Sequence, residues 1–318
     1  MQKEIVNDLD FENANTILEK ASPDSGIKPH YDTNSLDDSF ELSVIVPVYN
    51  NKALSQKCIQ SLLSQKTTFS YELILIDDGS TDGIQDELDK VAEDNNNVIV
   101  VHQANQGIAG ARNKGIELSR AAYLMFVDCD DTVHEDIIET LMSETRVDDY
   151  DIVMCAHALV KLREGKIVSR LPNISPGYNL LGYKNNDIIM NYDGLPWGKV
   201  YKRSLFEKVR FFPGYWYEDN IIHGLVFPQC KKFKYIPKVK YEYMWHEKNY
   251  SHVQDGKNQL KSIDSYWILK TIIDRSIELG IPHDAMYYTM ILKHVSAYYY
   301  SMISSLPDEI VKAMFIVG

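Results

Sequence analysis

The chain reads as an α/β protein: a mostly parallel sheet with helices on both faces, then an irregular half, then C-terminal helices. Three observations predict this. Between residues 41 and 160, short β-branched or aliphatic runs alternate with stretches whose apolar residues recur every three or four positions, the pattern of parallel βαβ units. The first of these runs, LSVIVPV, is apolar nearly throughout, as a strand covered on both faces should be. Polar clusters follow the strands at Pro47–Asn50, Asp77–Thr81, Asn105–Gly107 and Asp128–Asp131. Ligands of open α/β sheets bind at such carboxyl ends.

Taken in order, residues 1–40 are acidic and polar, with SPDSG and TNSLDDS clusters of loop chemistry. A short helix is predicted over 7–20, and the rest reads as an extension or flexible arm, disordered in part. After LSVIVPV, the stretch NKALSQKCIQSLLSQ places Leu54, Cys58 and Leu62 at a spacing of four, with Ile59 and Leu63 beside them. That is one helix face. YELILI is the next strand and DDGSTDG its loop; Ile84, Leu88 and Val91 mark the helix after it. VIVV is the third strand, NQGIAGARNKGIELS a loop entering a helix, and YLMFV a strand that stops on acids. Helix HEDIIETLM and strand DIVMCA complete the alternation. Residues 161–255 read as irregular, rich in aromatics and lysine. Helical spacing returns over 258–304, with Trp267, Ile268, Ile272, Met290, Leu292, Val295 and Tyr299 among the apolar positions. The expected division is a polar extension (1–40), one domain (41–255, with halves 41–160 and 161–255) and a helical segment (256–318).

Composition excludes several classes. The formal net charge of -12 argues against broad nucleic-acid binding. Four cysteines lie far apart with no CxxC pair, so they read as reduced thiols of a cytosolic protein rather than a disulfide frame or zinc site. No signal peptide is visible at the N-terminus, and no run approaches the roughly 20 apolar residues of a membrane span. The expected setting is cytoplasmic, with any membrane contact peripheral, through a surface or a partner.

MFVDCDD, residues 125–131, poses the chemical question. A buried strand ends on Asp128, Asp130 and Asp131, and the strand before it ends on Asp77 and Asp78. Alone, each loop has a plain reading: Asp77 and Asp78 begin a turn, and Asp131 caps the next helix with Thr132 beside it. Together, two acidic strand ends repel unless a cation or donors offset them. Asp128 and Asp130, on alternate residues, suit a Mg²⁺ or Mn²⁺ ion whose shell is completed by a diphosphate. Asp78 suits hydrogen bonds from a base or ribose. Arg112 can orient Asp78 or meet a phosphate with its bidentate fork. There is no GxxxxGK[ST], so this is not a P-loop, and no GxGxxG follows the first strand.

VIVPVYN, LILIDDGSTDG, NQGIAGARNKGI and MFVDCDD together resemble the nucleotide-sugar-binding half of family-2 glycosyltransferases, which have the Rossmann-like GT-A fold. PWGKVYKRSLF and YEDN match the later family pattern, and the resemblance covers about residues 42–250. It implies that Pro47, Tyr49 and Asp78 hold nucleobase and ribose, supported by Asn105 and Arg112. Asp128 would lie near ribose and metal, and Asp130 would be the direct metal ligand. Asp219, in the Glu218-Asp219 pair, matches the catalytic base, and Trp197 lies where the sugar and acceptor pocket is shaped. His246 is a further candidate for metal or diphosphate, although many relatives are arginine-rich there. A lone histidine in such a place also reads as structural, and the acidic pair as a helix N-terminus.

The chemistry agrees. A nucleoside diphosphate leaves a sugar readily when its charge is neutralised by a metal. An acceptor hydroxyl needs a base, worth ~10²–10⁴-fold. One base without a carboxylate nucleophile implies inversion. The expected partners are a nucleotide-sugar donor, with UDP as the expected nucleotide, and a saccharide, lipid-linked or glycoprotein acceptor. From Lys199 to Lys240 ten basic residues stand against three acidic; this reads either as a solvated face or as a patch for a phosphorylated acceptor or anionic membrane. A phosphoacceptor receiver would not need YEDN or the aromatic second half. A nucleotidyltransferase would want a glycine- and lysine-rich first loop. A non-catalytic sugar- or nucleotide-binding protein on the same fold is the remaining alternative.

Overall fold

A computed structural model describes residues 8–22, 28–164, 166–173, 179–181, 194–246, 249, 263–294 and 306–317. Its strands are β1 (Leu42–Val48), β2 (Tyr71–Asp77), β3 (Val98–His102), β4 (Tyr123–Phe126), β5 (Thr132–Val133), β6 (Ile152–Arg163), β7 (Lys166–Asn173), β8 (Asn179–Leu181), β9 (Lys199–Lys202) and β10 (Lys232–Trp245). Its α-helices are α1 (Asp8–Lys20), α2 (Lys52–Leu63), α3 (Gln85–Asp94), α4 (Gly107–Leu118), α5 (Ile137–Val147), α6 (Asp264–Glu278), α7 (Ala285–His294) and α8 (Asp308–Val317).

The sheet runs β3-β2-β1-β4-β9-β6-β10-β5, with β7 on β6 and β8 on β10. The first four strands are parallel. The chain moves outward from β1 to β3 and then returns to place β4 on the other side of β1. That reversal opens a crevice beyond the carboxyl ends of β1 and β4, where such sheets take ligands. β9 joins antiparallel to both β4 and β6, and β6 and β10 pair in parallel.

Alternation along β1 explains the layers. Every residue of Leu42–Val48 is buried, and successive side chains point to opposite faces. Ile45 joins Phe126, Tyr201, Phe206 and Phe211 on one side. Val44, Val46 and Val48 join Cys58 and Leu62 of α2 and Leu141 of α5 on the other. Phe126 meets Phe206 and Phe211 edge-on, each at 5.5 Å between ring centres, a favoured aromatic geometry. α4 lies so close to the sheet that a side chain at Gly115 would run into Ile45.

Three findings depart from the sequence reading. The half expected to be irregular contains the long strand β10 and the β6–β7 hairpin. The segment expected to be a flexible arm is tied down where it is described. Asn34 and Asp37 donate backbone N–H groups to Glu117 and Arg120, each at 2.9 Å, and Arg203 and Arg210 bond the carbonyls of Asn34 and Tyr31. Ala14 and Leu18 of α1 pack against Ile310, Ala313 and Met314 of α8. The basic run from Lys199 to Lys240 disperses. Lys199 and Arg210 are buried against backbone carbonyls, and Lys202, Lys232, Lys234 and Lys240 pair with Asp149, Asp148, Glu144 and Asp136. Val295 and Tyr299, and the first residue of the expected N-terminal helix, lie outside the described residues. Among the described residues no helix is long and apolar enough to cross a membrane.

Candidate active site

β1 brings Pro47, buried, to its carboxyl end, and the loop after it carries Tyr49 to the crevice. Tyr49 leaves 50% of its surface exposed, so its ring is available to a ligand. Asn50 adopts φ 46, a conformation asparagine tolerates better than most residues. Its side-chain oxygen accepts from the Thr81 N–H at 2.6 Å, and its own N–H donates to Ser80 Oγ at 3.1 Å. The first two loops are thereby stitched together.

The acids at the end of β2 divide their work. Asp77 makes the turn, accepting from Ser80 N–H at 2.9 Å and pairing with His102 Nδ1 at 2.8 Å. Asp78 is buried, and its Oδ1 accepts from Gln103 Nε2 at 2.7 Å and from the Gln106 N–H at 2.9 Å. Burial raises its pKa above the usual carboxylate range. Gly79, at φ +77, is required: a Cβ there would sit 3.0 Å from the Asn105 backbone nitrogen. Asn105 is exposed beside it. Pro47, Tyr49, Asp78 and Asn105 therefore converge on one edge. Arg112 does not orient Asp78, contrary to one sequence expectation.

Arg112 instead joins the other acids. Its side chain is 3% exposed; Nη2 donates to Asp128 Oδ1 at 2.7 Å and Nη1 to Glu218 Oε1 at 2.6 Å. Burial opposes its charge, but the two carboxylates more than offset this and hold it protonated. Glu218 and Asp219 follow Tyr217, a non-glycine residue at φ 64. Such a conformation costs about 1–3 kcal/mol and persists where the surroundings enforce it. Burial, then the neighbouring Glu218 charge, push the Asp219 carboxyl up to about 7, with Arg112 opposing them. Glu218 and Asp128 are also raised, mainly by burial, and Arg112 limits both shifts.

Asp131 is no helix cap. It is fully buried, accepting from Tyr241 Oη at 2.5 Å and from the Met244 N–H at 2.7 Å, while α5 begins only at Ile137. Tyr241 Oη also accepts from the Asp128 N–H at 3.3 Å. These bonds fasten the acidic loop to β10 and bring His246 Nε2 within 3.2 Å of Asp130 Oδ2. Trp197 is 5% exposed. It stacks on Tyr241 at 4.5 Å and meets His157 edge-on at 4.9 Å, so it supports the loop from behind rather than lining an open pocket. Tyr241, Gln103, Gln106 and Asn249, whose Nδ2 lies 3.5 Å from Asp130, escaped the sequence reading. The spacing of Tyr241, Tyr243 and Trp245 by two was the available signal.

No group of three or more His, Cys, Asp or Glu side chains able to hold a metal occurs among the described residues. The Asp130–His246 pair nevertheless fits a hard divalent ion that keeps waters and takes diphosphate oxygens.

The family model described as Glycosyl transferase family 2 matches residues 43–210, more than half of the chain. The chain belongs to glycosyl transferase family 2. It is 30% identical over 236 residues to YibD, an uncharacterized glycosyltransferase of Escherichia coli K12, covering 70% of this chain and 67% of that protein. It is 30% identical over 227 residues to the glycosyltransferase GlyA of Streptococcus pneumoniae, covering 68% of this chain but 32% of GlyA. This family-2 glycosyltransferase thus spans about a third of GlyA. Residues 1–349 of S. aureus TarS share the fold, with a TM-score of 0.63 at 19% identity over 82% of this chain and 72% of that one. TarS in complex with UDP-GlcNAc gives 0.58 at 17% identity, over 86% and 83%. The fold is GT-A, as the motifs implied.

Proposed function

We propose that this family-2 enzyme transfers a sugar, with inversion, from a UDP-sugar to an acceptor hydroxyl in polysaccharide or glycoconjugate assembly, in a cytoplasmic or membrane-peripheral setting. The observation that carries the proposal is the Arg112 bridge. One buried guanidinium ties the Asp128–Asp130 loop to the Glu218-Asp219 segment, which supports reading the first as the donor side and the second as the source of the base. The UDP-GlcNAc complex of TarS supports UDP as the nucleotide. In this reading Tyr49 and Pro47 flank the uracil, Asp78 accepts its one N–H, and Asn105 borders the ribose. Asp130 and His246 would hold a Mn²⁺ or Mg²⁺ ion. When bound, that ion would offset the charge of the departing diphosphate.

Asp219 takes the proton. The acceptor oxygen attacks the anomeric carbon, the bond to the diphosphate oxygen breaks, and the hydroxyl proton passes to the Asp219 carboxylate. A carboxyl near 7 is a better base than one in the ordinary range, because it still ionises at neutral pH. Glu218 is engaged by Arg112, leaving one carboxylate for the task and hence a single displacement. The acceptor is a saccharide, lipid-linked or glycoprotein hydroxyl.

Titration calorimetry with UDP, with and without Mn²⁺, on the native chain and on Asp130→Ala tests the reading. Binding that requires metal and disappears in the variant is the expected result. UDP binding indifferent to metal and to Asp130 would refute the metal site. Binding of GDP, CDP or dTDP in place of UDP would replace the nucleotide. Metal-dependent binding without sugar release from any UDP-sugar would leave a sugar-nucleotide-binding protein.

A further inference from the structure

The tip of the β6–β7 hairpin has no part in the chemistry above. Its strands pair from His157↔Asn173 to Arg163↔Lys166, with a register shift at Val168. Among the described residues β7 has no other strand partner. Nearly all of β7 is exposed, yet it carries three large aliphatic residues: Ile167 at 61%, Val168 at 59% and Leu171 at 56%. They do not share a face. Ile167 lies opposite Leu162 and Leu171 opposite Leu159, and these β6 positions, three apart, point to opposite sides of the strand.

Charge adds a second observation. Within residues 161–170 stand Lys161, Arg163, Lys166 and Arg170 against the single acid Glu164, in a chain of net charge -12. Arg170 is paired with Glu242 at 2.8 Å, and Lys161 lies over the Trp245 ring at 5.5 Å. Arg163 and Lys166, at the tip, make no ion pair among the described residues. The basic run around β9 and β10 differs: Lys199 is buried, Lys202, Lys232, Lys234 and Lys240 are paired, and Lys208, Lys231 and Lys238, though exposed, have no exposed aliphatic side chain next to them in sequence.

We propose that the tip of the β6–β7 hairpin docks on an anionic lipid surface. A flat protein partner would cover one face of the hairpin and leave the aliphatics of the other in water. Edge-on insertion into the headgroup region covers both faces and sets Arg163 and Lys166 against lipid phosphates. A second copy of the chain fits less well. It would bring the same basic tips together, and the irregularity at Val168 with Pro172 further along interrupts the edge that strand addition needs. The hairpin is rooted beside the site, through His157 on Trp197 and Arg170 on Glu242. Docking would therefore hold the crevice near the lipid. The lipid binding itself does not depend on what the crevice catalyses.

Sedimentation of the full chain with phosphatidylglycerol/phosphatidylcholine vesicles, and with phosphatidylcholine alone, tests this. Native protein should pellet with the anionic vesicles, not the neutral ones, and less as salt rises. Arg163→Gln with Lys166→Gln should weaken partitioning about 25-fold, about fivefold for each basic residue. Ile167→Ser with Leu171→Ser should weaken it further while the thermal melting curve stays unchanged. Absence of anionic-vesicle binding by the native chain, or equal binding by both variants, would overturn the proposal. So would concentration-dependent self-association, without vesicle binding, that the serine variant abolishes; the occupant would then be a second copy.

Discussion

Glu218→Gln and Arg112→Met should move the acid limb of the transfer rate in opposite directions. Asp219 serves as base only when ionised, so kcat/KM falls as pH drops through its pKa, placed at about 7. Glu218→Gln removes the adjacent negative charge and frees Arg112 from one of its two carboxylates. Both changes favour ionised Asp219. Two unit charges roughly 6 Å apart interact by about 3 kcal/mol at an effective dielectric of about 20. Both carboxylates are only partly buried, and screening leaves on the order of a third of that. The limb should therefore move about 0.7 pH units lower. Arg112→Met removes the counter-charge and should move the limb higher by a similar amount. It also leaves Asp128 and Glu218 without their buried partner, which should cost about 3–5 kcal/mol of stability. Initial rates of sugar transfer below donor KM, measured across neutral pH, read the first effect; urea denaturation reads the second. Shifts in the same direction, or no shift in either variant, would refute the assignment of Asp219 as the titrating base.

Asp219→Asn should lower kcat by ~10²–10⁴-fold without loss of stability above neutral pH. A carboxyl whose folded pKa is raised stabilises the fold at low pH and loses that contribution as pH climbs through about 7; melting curves at pH values on either side check the sign. Tyr241→Phe should cost about 1–3 kcal/mol, because Asp131 loses its bond from Tyr241 Oη deep in the protein. Donor KM should rise more than kcat falls, since the loop bearing Asp128 and Asp130 loosens. Gly115→Ala should destabilise by about 1–3 kcal/mol through its collision with Ile45. A double-mutant cycle with Ile45→Ala should show partial recovery.

Local patterns made the first half of the fold legible. β1, β2 and β4 are continuous apolar runs, and the helices between them keep one apolar stripe, so type and order could be read directly. β10 could not. Pro237 lies within it, lysines occupy positions 232, 234, 238 and 240, and the register shifts between Ile236 and Tyr241 break the period of two. Each feature alone demotes a strand; pairing with β6 overrides all three. The site divides in the same way. Asp78 and Asp130 were visible because acids at strand ends need an explanation. The partners of Arg112 were not, because Glu218 lies 106 residues away and only the folded chain brings them together. Of the two readings open for Asp131, a helix cap or a charge met by donors, the second holds, and its donors Tyr241 and Met244 belong to the strand that the sequence conceals.

The packing of α1 on α8 has a consequence for biogenesis. Ala14 and Leu18 leave the ribosome well before Ile263, Tyr266, Ile310 and Met314, which cover them and follow roughly 250–300 residues later. At a translation rate of roughly 5–20 residues per second, the wait is roughly 15–60 s. Through that interval the apolar stripe of α1 has no partner of its own, while the parallel sheet can already assemble behind it. Closure of α1 onto α8 must then wait for the synthesis of α8, and until that moment the helix exposes an apolar stripe that the folded protein buries.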